Sequence, residues 1–177
     1  MGAIAIVAIV VGSVLLVAIA LWAYRVANRL DRLHVRTDLA RQALVATLDR
    51  RAVVARAIAA ALRAREEEDL DALGVQLAVD ADRAESEPFA QREAAENEMS
   101  LVLSRVSAAT KGIIPPPTEL IAEMADAQTR VIMARRFYND AVRDTRALAE
   151  RRSVRWLRLG GRAPLPDYFE IIERVSA

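Results

Sequence analysis

His34 is the only histidine in the 177-residue chain, and there is no cysteine. A histidine works as a general base when a nucleophile and an orienting acid flank it. Asp31 and Asp38 stand three residues before and four after His34, but no Ser or Thr of the chain sits in a nucleophile motif. His34 therefore reads as a solvated side chain. The missing cysteine excludes a disulfide scaffold, a thiol nucleophile and any thiolate-held metal. No H-E-x-x-H or E-x-x-H pair supports a zinc or dimetal site, and no glycine-rich loop is present to cradle phosphate. The run Glu66-Glu67-Glu68-Asp69, with Asp71 after it, offers oxygen ligands to a hard cation. It lacks the spacing of an EF-hand loop and reads instead as a solvated connector of repelling charge. The sequence thus predicts no enzyme, no metal and no cofactor.

The remaining polar pattern concerns binding. Arg136, Asp140 and Arg143 follow one another at i, i+4 and i+7, an ion ladder worth a few tenths of a kcal/mol per pair. Arg51 falls on or beside an apolar helical stripe. Its aliphatic stem can cover the core while the head reaches water, or it can be buried against an acid of a facing helix; the first is the sequence reading. Arg51, Arg135, Arg136, Phe137, Tyr138, Asn139, Asp140 and Arg143 together form the candidate interaction surface. The same stretch reads equally well as core plus ion ladder.

These residues need elements to position them. From Met1 to Tyr24 there is no ionisable side chain, and Ile, Val, Leu and Ala fill nearly every position. At 1.5 Å per residue the run reaches about 35 Å, enough to cross a hydrocarbon core of about 30 Å. Trp22 and Tyr24 close it, where aromatic rings favour the headgroup level. Ala18-Ile19-Ala20 would suit a signal-peptide cleavage site, but no basic segment precedes the apolar run. An uncleaved anchor is therefore expected. Arg25, Arg29, Arg32, Arg36 and Arg41 follow it and no basic residue precedes it, so the positive-inside rule puts the N-terminus outside and the rest in the cytoplasm.

Neither proline nor glycine occurs between Ser13 and Gly74. Leu30, Leu33, Thr37, Ala40, Leu44, Leu48, Ala55, Ile58 and Leu62 recur at steps of three and four, the mark of one helix face. The anchor should continue as one helix to about Arg65, followed by a loose link over residues 66–82 with room for a short helical turn. A second helix is predicted from Ser86-Glu87-Pro88-Phe89, with Ser86 as N-cap, to Lys111-Gly112. The three prolines 115–117 form a stiff extended spacer. Thr118 then starts a third helix whose inner face includes Met124, Val131, Tyr138, Thr145 and Leu148. After Arg151-Arg152 comes an irregular tail, from which Tyr168 and Phe169 fold back on the bundle.

The predicted fold class is all-α. An N-terminal transmembrane helix (1–24) continues into an antiparallel up-down bundle of three long helices with room for a short fourth (25–158), and residues 159–177 form an irregular tail in which a short helix has room to form. With 54% hydrophobic residues and a net charge of +1, the composition excludes a disordered tail protein. The near-zero charge is a cancellation. Residues 25–65 carry ten arginines against three acids, residues 66–99 carry twelve acids against two arginines, and residues 100–177 carry thirteen basic residues against nine acids.

Several blocks resemble the LemA family of bacterial membrane proteins. Ala134-Arg135-Arg136-Phe137-Tyr138-Asn139-Asp140-Ala141-Val142-Arg143-Asp144 is similar to the hallmark near that family's C-terminus. Asn28-Arg29-Leu30, Asp49-Arg50-Arg51-Ala52, Ala95-Glu96-Asn97-Glu98-Met99-Ser100 with Leu103-Ser104-Arg105, and Tyr168-Phe169-Glu170 follow in the family's order. The chain departs from it at Val53-Val54-Ala55-Arg56-Ala57, where the family carries Ile-Pro-Asn-Leu-Val, and at Leu159-Gly160-Gly161, where it carries Phe-Gly-Phe. The resemblance implies an N-terminal anchor, a helical bundle facing the cytoplasm and no agreed enzymatic activity.

The expectation is therefore a non-catalytic, single-pass interaction or scaffold module. The alternative is a subunit of a membrane-bound enzyme, marked by a pocket joining Arg51, Arg135, Asn139 and Asp140, or of an envelope-stress signalling complex, marked by changed gene expression in a deletion strain. Membrane lipids should meet the anchor and the juxtamembrane arginines, and the bundle should bind another protein or a second copy of the chain. The basic segment after Arg135 is interleaved with acids, so no nucleic-acid partner is expected.

Overall fold

A computed structural model describes residues 2–65, 67–111, 115–157, 159 and 164–171. Among them are five helices and no strand: α1 (Gly2–Arg63), α2 (Glu68–Ser86), α3 (Phe89–Thr110), α4 (Thr118–Ala149) and α5 (Arg152–Trp156). The all-α class and the long N-terminal apolar helix leading into a bundle are as predicted. The chain divides into two units, one of Met1–Leu39 with Asp140–Asp167 and one of Ala40–Asn139 with Tyr168–Ala177.

In the second unit, Arg51 pairs with Glu96 and Asp49 with Arg92, so α1 and α3 run in the same direction. Arg56 pairs with Asp82 and Glu85, and Arg63 with Asp71, which sets α2 against α1. Arg50 pairs with Glu123 of α4. Up-down-up-down connections of this kind let each amphipathic helix hide its stripe. The core contains Ala52, Val54, Ala55, Ile58, Ala59 and Leu62 from α1, facing Leu70, Leu77, Ala81 and Ala84 of α2, and Ala95, Met99, Val102 and Val106 of α3.

The loose link expected over 66–82 is instead helix α2. Its first turn holds Glu68, Asp69 and Asp71, carboxylates that complement the positive end of a helix. The charge run is thus a helix start. Leu70, Gly74, Leu77, Ala81 and Ala84 are all buried, at steps of four and three along one face. Gly74 allows α2 to press on α1: a Cβ there would lie 2.9 Å from the Ala59 carbonyl oxygen and 2.7 Å from Arg63 Cγ. Ser86, expected as an N-cap, ends α2 and donates its hydroxyl to the Arg83 carbonyl at 3.2 Å. Pro88 takes the cap position of α3, with no side-chain capping bond, because its fixed φ suits a helix entrance. Gly112, expected to stop that helix, lies outside the described residues. Pro115–Pro117 are non-helical and α4 begins at Thr118, as predicted.

In the first unit, Arg36 meets Asp144 at 3.1 Å, and Leu30, Leu148 and Val154 form one apolar cluster, so α1 and the end of α4 run antiparallel with α5 against them. Thr37 and Thr145 are buried, with their hydroxyl oxygens 3.0 Å apart. Each also donates back to its own helix, Thr37 to Leu33 O at 2.9 Å and Thr145 to Ala141 O at 2.8 Å. His34 is not simply solvated. Its Nδ1 lies 2.9 Å from the Leu30 carbonyl, while Nε2 is buried without a partner among the described residues. The tail after α5 is tied down by Arg146, which donates to Pro166 O and Asp167 Oδ1, each at 3.2 Å. Residues 164–171 contain no helix; the short helix stands earlier, at α5.

Within α1, an apolar stretch near the N-terminus has a mean hydropathy of 3.1 over 18 residues and none of it is buried. It is long and apolar enough to cross a membrane, and its bare surface sets it apart from the core helix of a soluble protein.

Candidate functional site

Arg51 stands on the inner face of α1, and there its stem cannot carry the guanidinium out to water. The residue is 5% exposed. Burial of its head requires a partner, and α3 supplies one: Arg51 Nη1 donates to Glu96 Oε2 at 3.0 Å. Glu96 is fully buried, and its other oxygen accepts from Arg92 Nε one turn earlier on the same helix, at 3.3 Å. Arg92 Nη2 then reaches Asp49 Oδ1 at 2.7 Å. Arg51 Nη2 donates to Ser100 Oγ at 2.7 Å, and that hydroxyl passes its own proton to the Glu96 carbonyl at 2.7 Å. Two arginines and two acids thus alternate in a line between α1 and α3. Burial pushes the Glu96 carboxyl above its ordinary range, against the pull of Arg51 and Arg92. Burial also lowers the pKa of Arg51, which Glu96 opposes. The buried pairing is the arrangement that the sequence reading ranked second. The facing acid, 45 residues away, had no local signature.

Arg51 also lines a cavity of about 490 Å³. Its walls are apolar, with Ile58 from α1, Leu103 and Val106 from α3, and Ile121, Met124 and Ile132 from α4. Ser100, Ser104, Ser107 and Gln128 add uncharged hydrogen-bonding groups. The Nε of Arg51 is buried and has no hydrogen-bond partner among the described residues. A cavity of this size lies within the range of sites that hold a small apolar ligand or an inserted side-chain group. Arg135 and Asn139, of the same unit, are not among its lining residues.

The rest of the predicted surface has two fates. Tyr138 and Asn139 form a clasp. Asn139 Nδ2 donates to the Phe169 carbonyl at 3.0 Å, and its Oδ1 accepts from the Phe169 amide at 2.9 Å. A side-chain amide here mimics the two-way pairing of a β-ladder. The Phe169 ring is buried and stacks on Phe89 at 4.9 Å, while Phe89 meets Tyr138 edge to face at 5.4 Å. Such pairs add about 0.5–1.5 kcal/mol each beyond the area they bury. Arg41 lies over the Phe89 ring at 5.9 Å, and the Glu170 amide donates to Glu93 Oε1 at 2.7 Å. Of the tail's aromatic pair, Phe169 folds back and Tyr168 stays exposed. Sequence reasoning missed Phe89 and Phe169 as partners because 80 residues separate them.

Arg136, Phe137 and Arg143 face outward, and Arg135 and Asp140 are partly buried. Phe137 is 64% exposed, next to the exposed Met133 one turn earlier. In the first unit, Arg143 pairs with Asp140 at 3.1 Å and with Asp144 at 3.8 Å, giving one rung of the expected ladder. Among the described residues, no three His, Cys, Asp or Glu side chains converge as metal ligands. No protein-family model, curated protein or solved structure matches the chain.

Proposed function

We propose that the chain is a single-pass membrane protein whose helical bundle serves as a non-catalytic interaction module. The observation that carries this reading is α1 itself, in which a bare apolar span continues without a break into a bundle helix. The arginines after Tyr24 favour an outside N-terminus and a cytoplasmic bundle. The pocket between α3 and α4, apolar but for Arg51 and a few hydroxyl and amide groups, suits the side chains of a partner protein better than a reacting substrate. Phe137 and Met133 extend the apolar surface available on α4. Membership of the LemA family is part of this proposal and rests on the blocks quoted above.

The absence of cysteine makes the test direct. A single cysteine at Ala3 should react with an impermeant maleimide on intact cells, and one at Arg130 should react only after lysis. The opposite pattern overturns the orientation, and recovery of the chain in the soluble fraction overturns the anchor. A photocrosslinking residue at Ile132 should capture one stoichiometric protein, or a second copy of the chain, within the cell. Absence of any such product overturns the interaction role.

A further inference from the structure

Helix α5 presents an arrangement that the bundle does not use. Val154 alone is buried, and Arg151, Arg152, Ser153, Arg155, Trp156 and Leu157 around it are all exposed. Trp156 is 91% exposed and Leu157 46%. A bare tryptophan beside a leucine forfeits the burial of its large apolar area, which a protein surface rarely leaves uncovered.

The place of α5 explains what covers them. Val154 belongs to one cluster with Leu30 and Leu148, and Val26 and Leu33 pack against the same cluster. Val26 to Leu33 lie about 3–14 Å beyond Tyr24 along the helix axis. Each headgroup layer of a bilayer is several ångströms deep, outside a hydrocarbon core of about 30 Å. If Gly2–Tyr24 fills the core, α5 lies at the headgroup level. Arg25, Arg29 and Arg32 are exposed on α1 over the same stretch. No acid interrupts Arg151–Leu157, and the preceding Glu150 already pairs with Arg146 at 3.3 Å.

We infer that α5 is a membrane-docking element: Trp156 and Leu157 enter the headgroup layer beside the span, and Arg151, Arg152 and Arg155 hold them there on anionic lipid. Tryptophan's amphipathic ring suits that layer, and arginines near an anionic surface are attracted to it. The inference rests on the single-pass reading above. It adds a second contact that ties the end of α4 to the bilayer.

The test uses the full chain in single-copy nanodiscs containing lipids brominated near the headgroup. The chain has two tryptophans, so Trp22→Phe isolates the emission of Trp156 and Trp156→Phe isolates that of Trp22. In phosphatidylglycerol discs both emissions should be quenched, with Trp156 losing more to bromine near the headgroup than to bromine deep in the acyl chain. Replacing Arg151, Arg152 and Arg155 together by Gln should lower the ratio of docked to undocked α5 about a hundredfold. Trp156 emission then recovers, while Trp22 stays quenched. Quenching of Trp22 without any quenching of Trp156 overturns the docking inference and leaves the span intact. Failure to quench either overturns the span and the docking with it. Quenching of Trp156 that the three substitutions leave unchanged overturns the arginine clamp.

Discussion

Each of the two units buries polar side chains within its packed helices, and two of those sites solve the problem differently. In one, Thr37 and Thr145 meet at 3.0 Å, but each also donates to a carbonyl of its own helix four residues back. Those hydroxyls are satisfied before the helices meet. In the other, Arg51 has no such local recourse: its buried charge is met by Glu96 of another helix, which Arg92 also holds from one turn earlier. The threonine layer therefore tolerates sliding or loss. The ionic line instead fixes which turn of α1 faces which turn of α3, since a shift by one turn would strand charges in the core.

The contrast is most easily broken at Glu96. Glu96→Ala leaves Arg51 without a counter-ion and should cost about 3–5 kcal/mol, read as a large drop in the melting temperature of the detergent-purified protein. Replacing both Arg51 and Glu96 by Leu removes the charges together. This pair should recover most of that loss, to within about 1–2 kcal/mol of the parent, because apolar residues of similar volume can replace a buried ion pair. A double variant as unstable as Glu96→Ala would show that packing, not stranded charge, sets the cost.

Asn139 stands between the two cases, since its amide pairs with both the N–H and the carbonyl of Phe169. Asn139→Ala should cost about 2 kcal/mol and speed proteolysis and amide exchange around Phe169. Smallest is the threonine layer. Thr37→Val should cost about 1 kcal/mol or less, and adding Thr145→Val should change little more, because the remaining groups are apolar or already bonded. A loss of several kcal/mol in the double threonine variant would erase the distinction between the units.

Much of this was readable from sequence wherever order is local. The stripe from Leu30 to Leu62 is buried at Leu30, Thr37, Leu44, Leu48, Ala55, Ile58 and Leu62, and the start of α4 at Thr118 follows from three prolines. Helix α2 escaped notice because its stripe is built from glycine and alanine as much as leucine, and its acidic start looks like a solvated loop. Its dipole and the close approach at Gly74 turn those same residues into helix. The candidate site was legible as residue types but not as roles. Tyr138 and Asn139 look like surface chemistry until Phe169 and Phe89, distant in sequence, take up their hydrogen bonds and ring edges. Arg51 is ambiguous by itself, and only Glu96 on another helix decides its fate.

Gly74 has a consequence for how the chain can change. A saturation library across α2 should be permissive at exposed positions such as Val75 and Val79, where any well-tolerated helix former will do. Position 74 should stand out as a gap in that tolerance. Even alanine, the best helix former, must push against a backbone carbonyl that has no rotamer to yield. A residue that looks like punctuation would then appear in a growth or expression screen as one of the most constrained sites of its helix.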